Sequence, residues 1–181
     1  MSLGPDFDST LTAARCGAEW AWAAIYRDLA GSVTGYFAAR GAAEPEDLTS
    51  EVFLQAARDL GKFEGDEASF RSWVFVIAHR RLIDSCRGIG RRAQQVPLTD
   101  HLSDPEGGNV EEEALDSLAT TELLTAFEHL TDDQRAVVAL RIIGGLTLEE
   151  TAQVLDRRVG AVKALQRRAF IALRDALPGT E

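Results

Sequence analysis

Apolar residues recur at steps of three and four along much of this chain. Phe70, Trp73, Val74, Ile77, Ala78 and Leu82 mark one buried face of a helix ending near Gly88, with Arg71, Arg80 and Arg87 placed elsewhere around it. Val162, Leu165, Ala169, Leu173 and Ala176 cluster on one side of another helix, while Lys163, Arg167 and Arg174 line the opposite side. Between them, Leu148, Ala152 and Leu155 have the spacing of a helix packed against a neighbour. No segment sustains apolar/polar alternation with β-branched enrichment, and 27 Ala and 21 Leu favour helix throughout. The pattern predicts an all-α protein. Further helices are expected over residues 9–29, with a break near Gly17, and over 31–40 and 45–60. The last has Pro45 in its first turn, Glu46 and Asp47 where the helix dipole favours acids, and Gly61 as its stop.

From Val96 to about Asn109 the periodicity dissolves into Pro97, Asp100, Ser103, Asp104, Pro105, Gly107 and Gly108, the composition of an exposed linker. Two small helical domains are therefore expected, over residues 1–95 and 111–181, joined by a flexible acidic linker over 96–110. The linker itself imposes no relative placement on them. Between Thr99 and Glu122 there are eight acids and no Lys or Arg. Two readings stay open for that stretch: a self-repelling, solubilising connection, or a mimic of nucleic-acid charge.

The second domain carries the sequence signature of a helix-turn-helix. Thr131-Asp-Asp-Gln134 and Thr147-Leu-Glu-Glu150 are both capping boxes, in which a Thr hydroxyl accepts from an amide three residues on and a Gln or Glu reaches back. Each announces a helix start. The first helix runs to Gly144-Gly145, a short second spans 148–155, and a third follows a turn at 156–158 and continues to about Ala176. Such an arrangement lays a basic recognition helix in the DNA major groove.

Charge changes the picture only once its distribution is considered. The net charge is −10, which by itself argues against a nucleic-acid coat or a basic membrane-surface binder. Yet residues 71–95 and 156–174 each carry +5, leaving −20 for the rest. Two basic islands sit in an acidic chain. Cys16 and Cys86 have no partner at metal-ligand or redox spacing and read as reduced thiols. No basic, apolar leader occupies Met1 to Phe7 and no run approaches the ~18 apolar residues of a membrane span, so a cytoplasmic chain without membrane insertion is expected. His79, His101 and His129 are isolated, and HExxH, a glycine-rich phosphate loop and GxSxG are lacking. Neither an enzyme nor a cofactor or metal site is expected.

These segments, in this order, resemble an extracytoplasmic-function (ECF) sigma factor of bacterial RNA polymerase, in the sigma-70 family, over about residues 10–177. Residues 46–57, EDLTSEVFLQAA, followed by Lys62-Phe63, are similar to the family's helix that grips the polymerase clamp. Residues 70–84, FRSWVFVIAHRRLID, resemble the segment that opens and reads the minus-ten element. Residues 145–152, GLTLEETA, and 159–169, VGAVKALQRRA, resemble the segment that binds the minus-thirty-five element. Three positions depart from the family's habit: Ser50 for Gln, Arg80 for Asn, and Arg158 for a capping Ser.

The resemblance implies a sigma factor that binds core RNA polymerase and directs promoter recognition, DNA melting and transcription initiation. An anti-sigma factor is a further partner that many relatives have. It implies a polymerase face of Asp47, Ser50, Glu51, Leu54 and Gln55, with carboxylates one turn apart. It implies minus-ten contacts from Lys62, Glu64, Asp66, Glu67, Arg71, Phe75, His79, Arg80, Arg81, Arg87, Arg91 and Arg92. In this family the 62–69 loop captures a base flipped from the melted strand, and an acidic loop suits an exocyclic amine. Trp73 lies on the apolar stripe, so Phe75, which lies off it, is the expected exposed aromatic, with His79 as a second flat surface. Minus-thirty-five contacts are implied for Arg157, Arg158, Lys163, Ala164, Arg167, Arg168 and Arg174. The competing reading is a one-component helix-turn-helix repressor with an all-helical sensor domain, acting without polymerase.

Overall fold

Seven α-helices form the described part of the chain, which in this computed structural model comprises residues 6–93, 127 and 129–176, with the side chains of 87–93 outside the description. No strand occurs among those residues. α1 (Phe7–Arg15) and α2 (Glu19–Ala39) meet at Gly17, as the sequence pattern predicts. Gly17 N–H donates to Ala14 O and Ala18 N–H to Ala13 O, both at 3.0 Å, a closure that needs the left-handed φ of +81°.

α2 then runs unbroken through Gly31, where the sequence suggests a boundary. Ile25, Leu29, Val33, Tyr36 and Phe37 are all buried along it. At about 1.5–3 kcal/mol for each large buried side chain, this packing outweighs the ~1 kcal/mol helix penalty of one glycine. α3 (Pro45–Asp59) begins with Pro45 and the acids Glu46 and Asp47, and passes into a 3₁₀ turn at Leu60–Lys62. α4 (Glu67–Ala93) continues past Gly88. Its Phe70, Val74, Phe75, Ala78 and Leu82 join α2 and the Val52, Phe53 pair of α3 in one core, covered at one end by Phe7 and Leu11 of α1.

The C-terminal unit comprises α5 (Asp132–Ile142), α6 (Leu148–Val154) and α7 (Val159–Ala176). Both capping boxes form. Gln134 N–H donates to Thr131 Oγ1 and Thr131 N–H to Gln134 Oε1 (2.9 Å); Glu150 N–H donates to Thr147 Oγ1 (3.2 Å) and Thr147 N–H to Glu150 Oε2. After α6 the chain turns through Asp156 at φ +51°, with Asp156 N–H donating to Gln153 O and Arg157 N–H to Ala152 O. This Schellman closure fixes the exit angle into α7.

The two units are packed on each other. Ala139 and Leu140 of α5, Leu146, and Val154 of α6 belong to the same core as the N-terminal bundle. Ile143 Cγ2 lies 3.0 Å from where a Cβ on Gly35 of α2 would stand, and the Phe75 ring lies 3.2 Å from a Cβ on Gly144. Arg40 donates to the carbonyl of Asp132 across the same seam. Residues Ala136–Leu140 are consecutively buried, so the central turn of α5 is enclosed on all sides. Linker residues 96–110, the acidic stretch 99–122 and His101 lie outside the described residues.

Candidate polymerase and nucleic-acid interfaces

The implied polymerase face is presented by α3. Asp47, Ser50, Glu51 and Leu54 are exposed and Gln55 is half-buried. Ser50 Oγ is satisfied by its own helix, donating to Glu46 O at 3.1 Å. Gln55 donates to Asp59, while Arg81 of α4 donates to both Glu51 (3.3 Å) and Gln55 (3.2 Å). Arg81 thus occupies acceptors of this acidic face, although the sequence places it with the minus-ten residues.

Leu54 is 58% exposed and borders a groove of about 620 Å³ between α2 and α3, walled by Trp22, Tyr26 and Phe53. Sequence reasoning passed over Trp22 and Tyr26, although their one-turn spacing placed two aromatics on one face of α2. Among the described residues this is an apolar groove beside a row of acceptors.

The 62–69 loop is rigidly built. Phe63 is buried against Phe70 and Trp73, with ring centroids 5.2 and 5.3 Å away, and Arg15 donates to its carbonyl. Gly65 has φ +148°, and a Cβ there would come within 2.9 Å of Ser69 Cβ, so only glycine fits. Asp66 accepts from Ser69 N–H at 2.8 Å, and Ser69 holds its carboxyl below the usual carboxylate range. Asp66 therefore acts as a helix cap for α4. Lys62 pairs with Asp59 at 2.9 Å, Glu64 is exposed and Glu67 is half-buried in the first turn of α4.

Three minus-ten expectations change on α4. Phe75 is fully buried, edge-on to Tyr36 at 5.8 Å, because the C-terminal unit covers the side of the helix that the apolar stripe leaves open. Trp73 is instead half-buried among Phe63 and Phe70. His79 is half-buried and engaged at its ring edge, where Nδ1 shares a 2.8 Å hydrogen bond with the Tyr36 hydroxyl. Burial, and then the charge of Arg40, lowers the His79 pKa, and burial pushes Tyr36 up to about 12. Arg71, expected to hold phosphate, forms an ion pair with Asp28 at 3.1 Å with both side chains largely covered. Arg80 is exposed; the side chains of Arg87, Arg91 and Arg92 lie outside the description.

α7 buries Val162, Leu165, Ala169 and Leu173 and exposes Lys163, Ala164, Arg167, Arg168 and Arg174, as the wheel predicts. Arg158 is exposed at its start, and the carbonyl of Arg158 receives the first helical amides. Arg157 grips both carboxylate oxygens of Asp133 at 2.8 Å and so ties the turn to α5. Arg174 pairs with Asp175 at 2.7 Å. Phe170 and Ile171 are also exposed beside Arg167 and Arg174, a surface the wheel did not single out. Among the described residues no cluster of His, Cys, Asp or Glu could hold a metal ion, and no helix is long and apolar enough to cross a membrane. Both cysteines are free and exposed.

Comparison with known proteins places these surfaces in a family. Residues 22–92 match the family model for Sigma-70 region 2 and residues 126–175 that for Sigma-70, region 4. The chain is 36% identical over 144 residues to the ECF RNA polymerase sigma factor BldN of Streptomyces coelicolor, covering 79% of this chain and 54% of BldN. It is 28% identical to the ECF RNA polymerase sigma factor SigK of Mycobacterium bovis, covering 73% of this chain and 71% of SigK. The fold matches that of the sigma factor RpoE of Bartonella quintana, solved with the anti-sigma factor NepR, at a TM-score of 0.68 and 19% identity over 86% of this chain and 96% of that one. Two region models in the order the helices predict, on a helical bundle followed by a capped helix-turn-helix, leave one assignment: the chain belongs to the sigma-70 family, as an ECF sigma factor.

Proposed function

We propose that this chain binds core RNA polymerase through α3 and directs it to promoters, reading the minus-thirty-five element with α7 and the minus-ten element with the 62–69 loop. The observation that carries the reading is the pairing, in one chain, of an acidic and apolar α3 face with an exposed basic α7 in a doubly capped helix-turn-helix. Asp47 and Glu51 offer acceptors to basic groups of the clamp, and Leu54 with the Tyr26 groove seats an apolar side chain. Lys163, Ala164, Arg167 and Arg168 face the major groove, where Arg reaches guanine edges and Lys reaches phosphate. Arg157 acts one step back, orienting the turn through Asp133.

At the other element, Glu64 is the loop carboxylate best placed to accept from an exocyclic amine, since Asp66 is engaged as a cap. Arg80, with Arg87, Arg91 and Arg92 further along α4, holds phosphates of the opened strands. Opening draws on binding energy alone, and the chain performs no catalysis and uses no cofactor. Residues 1–95 and 111–181 are the two functional units, and 96–110 joins them. The protein works in the cytoplasm, where an anti-sigma factor is a natural further partner, as NepR is for the solved RpoE.

Reconstitution with core RNA polymerase on genomic DNA tests the reading. Discrete new transcript starts that depend on the chain are expected. Their absence, together with tight binding of the free protein to a palindrome, would establish the repressor instead.

A further inference from the structure

We infer that Arg15 of α1 is a positioning residue for base reading: it holds the Phe63 carbonyl and thereby aims the Glu64 carboxylate at the base that the 62–69 loop receives. The consequence for promoters rests on the minus-ten role proposed above for that loop, whereas the brace itself stands on geometry. Arg15 precedes residues 22–92, which match Sigma-70 region 2, and no sequence pattern ties it to position 63.

The foot of the brace is itself fixed. Phe7, Leu11 and Ala14 bury one side of α1 in the common core, and the Phe7 ring meets that of Phe70 at 5.7 Å. The last turn is held as well, because Trp22 Nε1 donates to Ala14 O at 3.1 Å and the Gly17 closure uses the Ala13 and Ala14 carbonyls. By its place in that turn Arg15 could serve its own helix end, where a cation suits the dipole. Its Nη2 instead donates to Phe63 O. A guanidinium on a carbonyl makes a charge-assisted bond, stronger than the neutral kind.

That carbonyl belongs to the peptide unit joining Phe63 to Glu64. The unit is planar, so fixing its oxygen also fixes the Glu64 amide and restricts where the Glu64 Cα can stand. On the other side of Glu64 lies Gly65, whose backbone is the most permissive available. The next fixed point is Asp66, which caps α4. Arg15 therefore supplies the stiffness that Gly65 withholds. Among the described residues the Glu64 carboxylate is exposed and has no partner of its own, so its direction is set by the backbone. A single acceptor discriminates between bases only when it is held in place; one that swings through several positions accepts from any nearby amine.

Relaxation of ¹⁵N in the full-length chain reports the brace. The parent should give order parameters of about 0.85 at Glu64 and Gly65, and Arg15→Ala values below about 0.6, with α2 unchanged. Thr12→Ala, exposed on the same helix, should match the parent, and Arg15→Lys, which keeps a cationic donor, should lie between. Base reading is measured with holoenzyme and a single-stranded DNA library randomised over the minus-ten element. The parent should favour a base with an exocyclic amine by about tenfold at one position, and Arg15→Ala should reduce that to about twofold while preferences elsewhere persist. In Glu64→Ala the preference should already be lost, and adding Arg15→Ala should take away nothing further.

Unchanged order parameters in Arg15→Ala would overturn the brace, and a fall extending along α2 would make Arg15 a general structural residue. A loosened loop with intact base preference would overturn the positioning role. Equal losses for all four bases, with a flatter salt slope, would make Arg15 a phosphate contact instead. A parent holoenzyme with no preference at any position would remove the loop's minus-ten reading and with it the consequence for Arg15, while the relaxation result would still decide the brace.

Discussion

The two basic islands have the same net charge in the sequence, but Arg71 and Arg81 of the first are tied into the fold where the α7 cations of the second stay exposed. In the island on α4, Arg71 is covered in an ion pair with Asp28, Arg81 bridges to Glu51 and Gln55, and His79 is half-buried, hydrogen-bonded to Tyr36. On α7 the cations of Lys163, Arg167 and Arg168 stay exposed, and the inward-tied member is Arg157, which stands before the helix begins. Charge summed along a sequence is thus a poor guide to surface potential where the residues lie on a helix packed from several sides. It is a good guide on a helix with one buried stripe. Arg71 and Arg81 of the first island belong to the scaffold; the exposed cations of α7 are available to a ligand.

The largest test of this contrast is Arg71→Ala. It leaves Asp28, whose side chain is 7% exposed, without its guanidinium, and should cost about 3–5 kcal/mol of stability in urea melts. A cost below ~1 kcal/mol would place Arg71 with the ligand-facing cations after all. Arg167→Ala should do the reverse, leaving stability unchanged while relaxing minus-thirty-five discrimination by about 1–3 kcal/mol in competition binding if it touches a base edge. If it touches phosphate alone, only the salt slope should flatten.

A smaller effect follows from His79, whose pKa is lowered by burial and by Arg40. Below the ordinary value of ~6.5 the unfolded chain binds a proton that the folded chain refuses. Stability should therefore decline as pH falls from ~6.5 toward the lower folded value, then level off. His79→Gln should remove that part of the slope, measured as urea midpoints across the range; an identical slope in the variant would show that other groups cause it. The smallest effect is expected for Arg81→Ala, because an exposed pair such as Arg81–Glu51 contributes only ~0–1 kcal/mol. Stability should hardly move, while polymerase affinity should change through the freed Glu51, as a titration of core enzyme would report.

Local signals were legible in the sequence where a few neighbouring residues decide the outcome. Both capping boxes, the Gly17 break, Pro45 at the start of α3 and the buried stripe of α7 form as read. Features set by residues distant along the chain were not. Gly31 resembles a boundary until Leu29 and Val33 are seen packed into a common core, and Phe75 looks exposed until Gly144 covers it. At the candidate sites, residue type was readable but engagement was not. Nothing near Arg71 in sequence announces Asp28, and Asp66 shows itself as a cap only through Ser69.

Consecutive residues of α5 serve three different cores: Val137 packs with α6 and α7, Val138 with Phe127 and Leu173, and Ala139 and Leu140 with the N-terminal bundle. One helical turn is therefore answerable to neighbours from both halves of the chain. Promoter specificity invites transplantation, in which a C-terminal unit from another sigma factor is grafted onto this bundle to redirect it. Such a graft carries a foreign α5 into a seam shaped around Gly35 and Phe75, so chimaeras that exchange only the exposed face of α7 should be far better tolerated than exchanges of the whole unit.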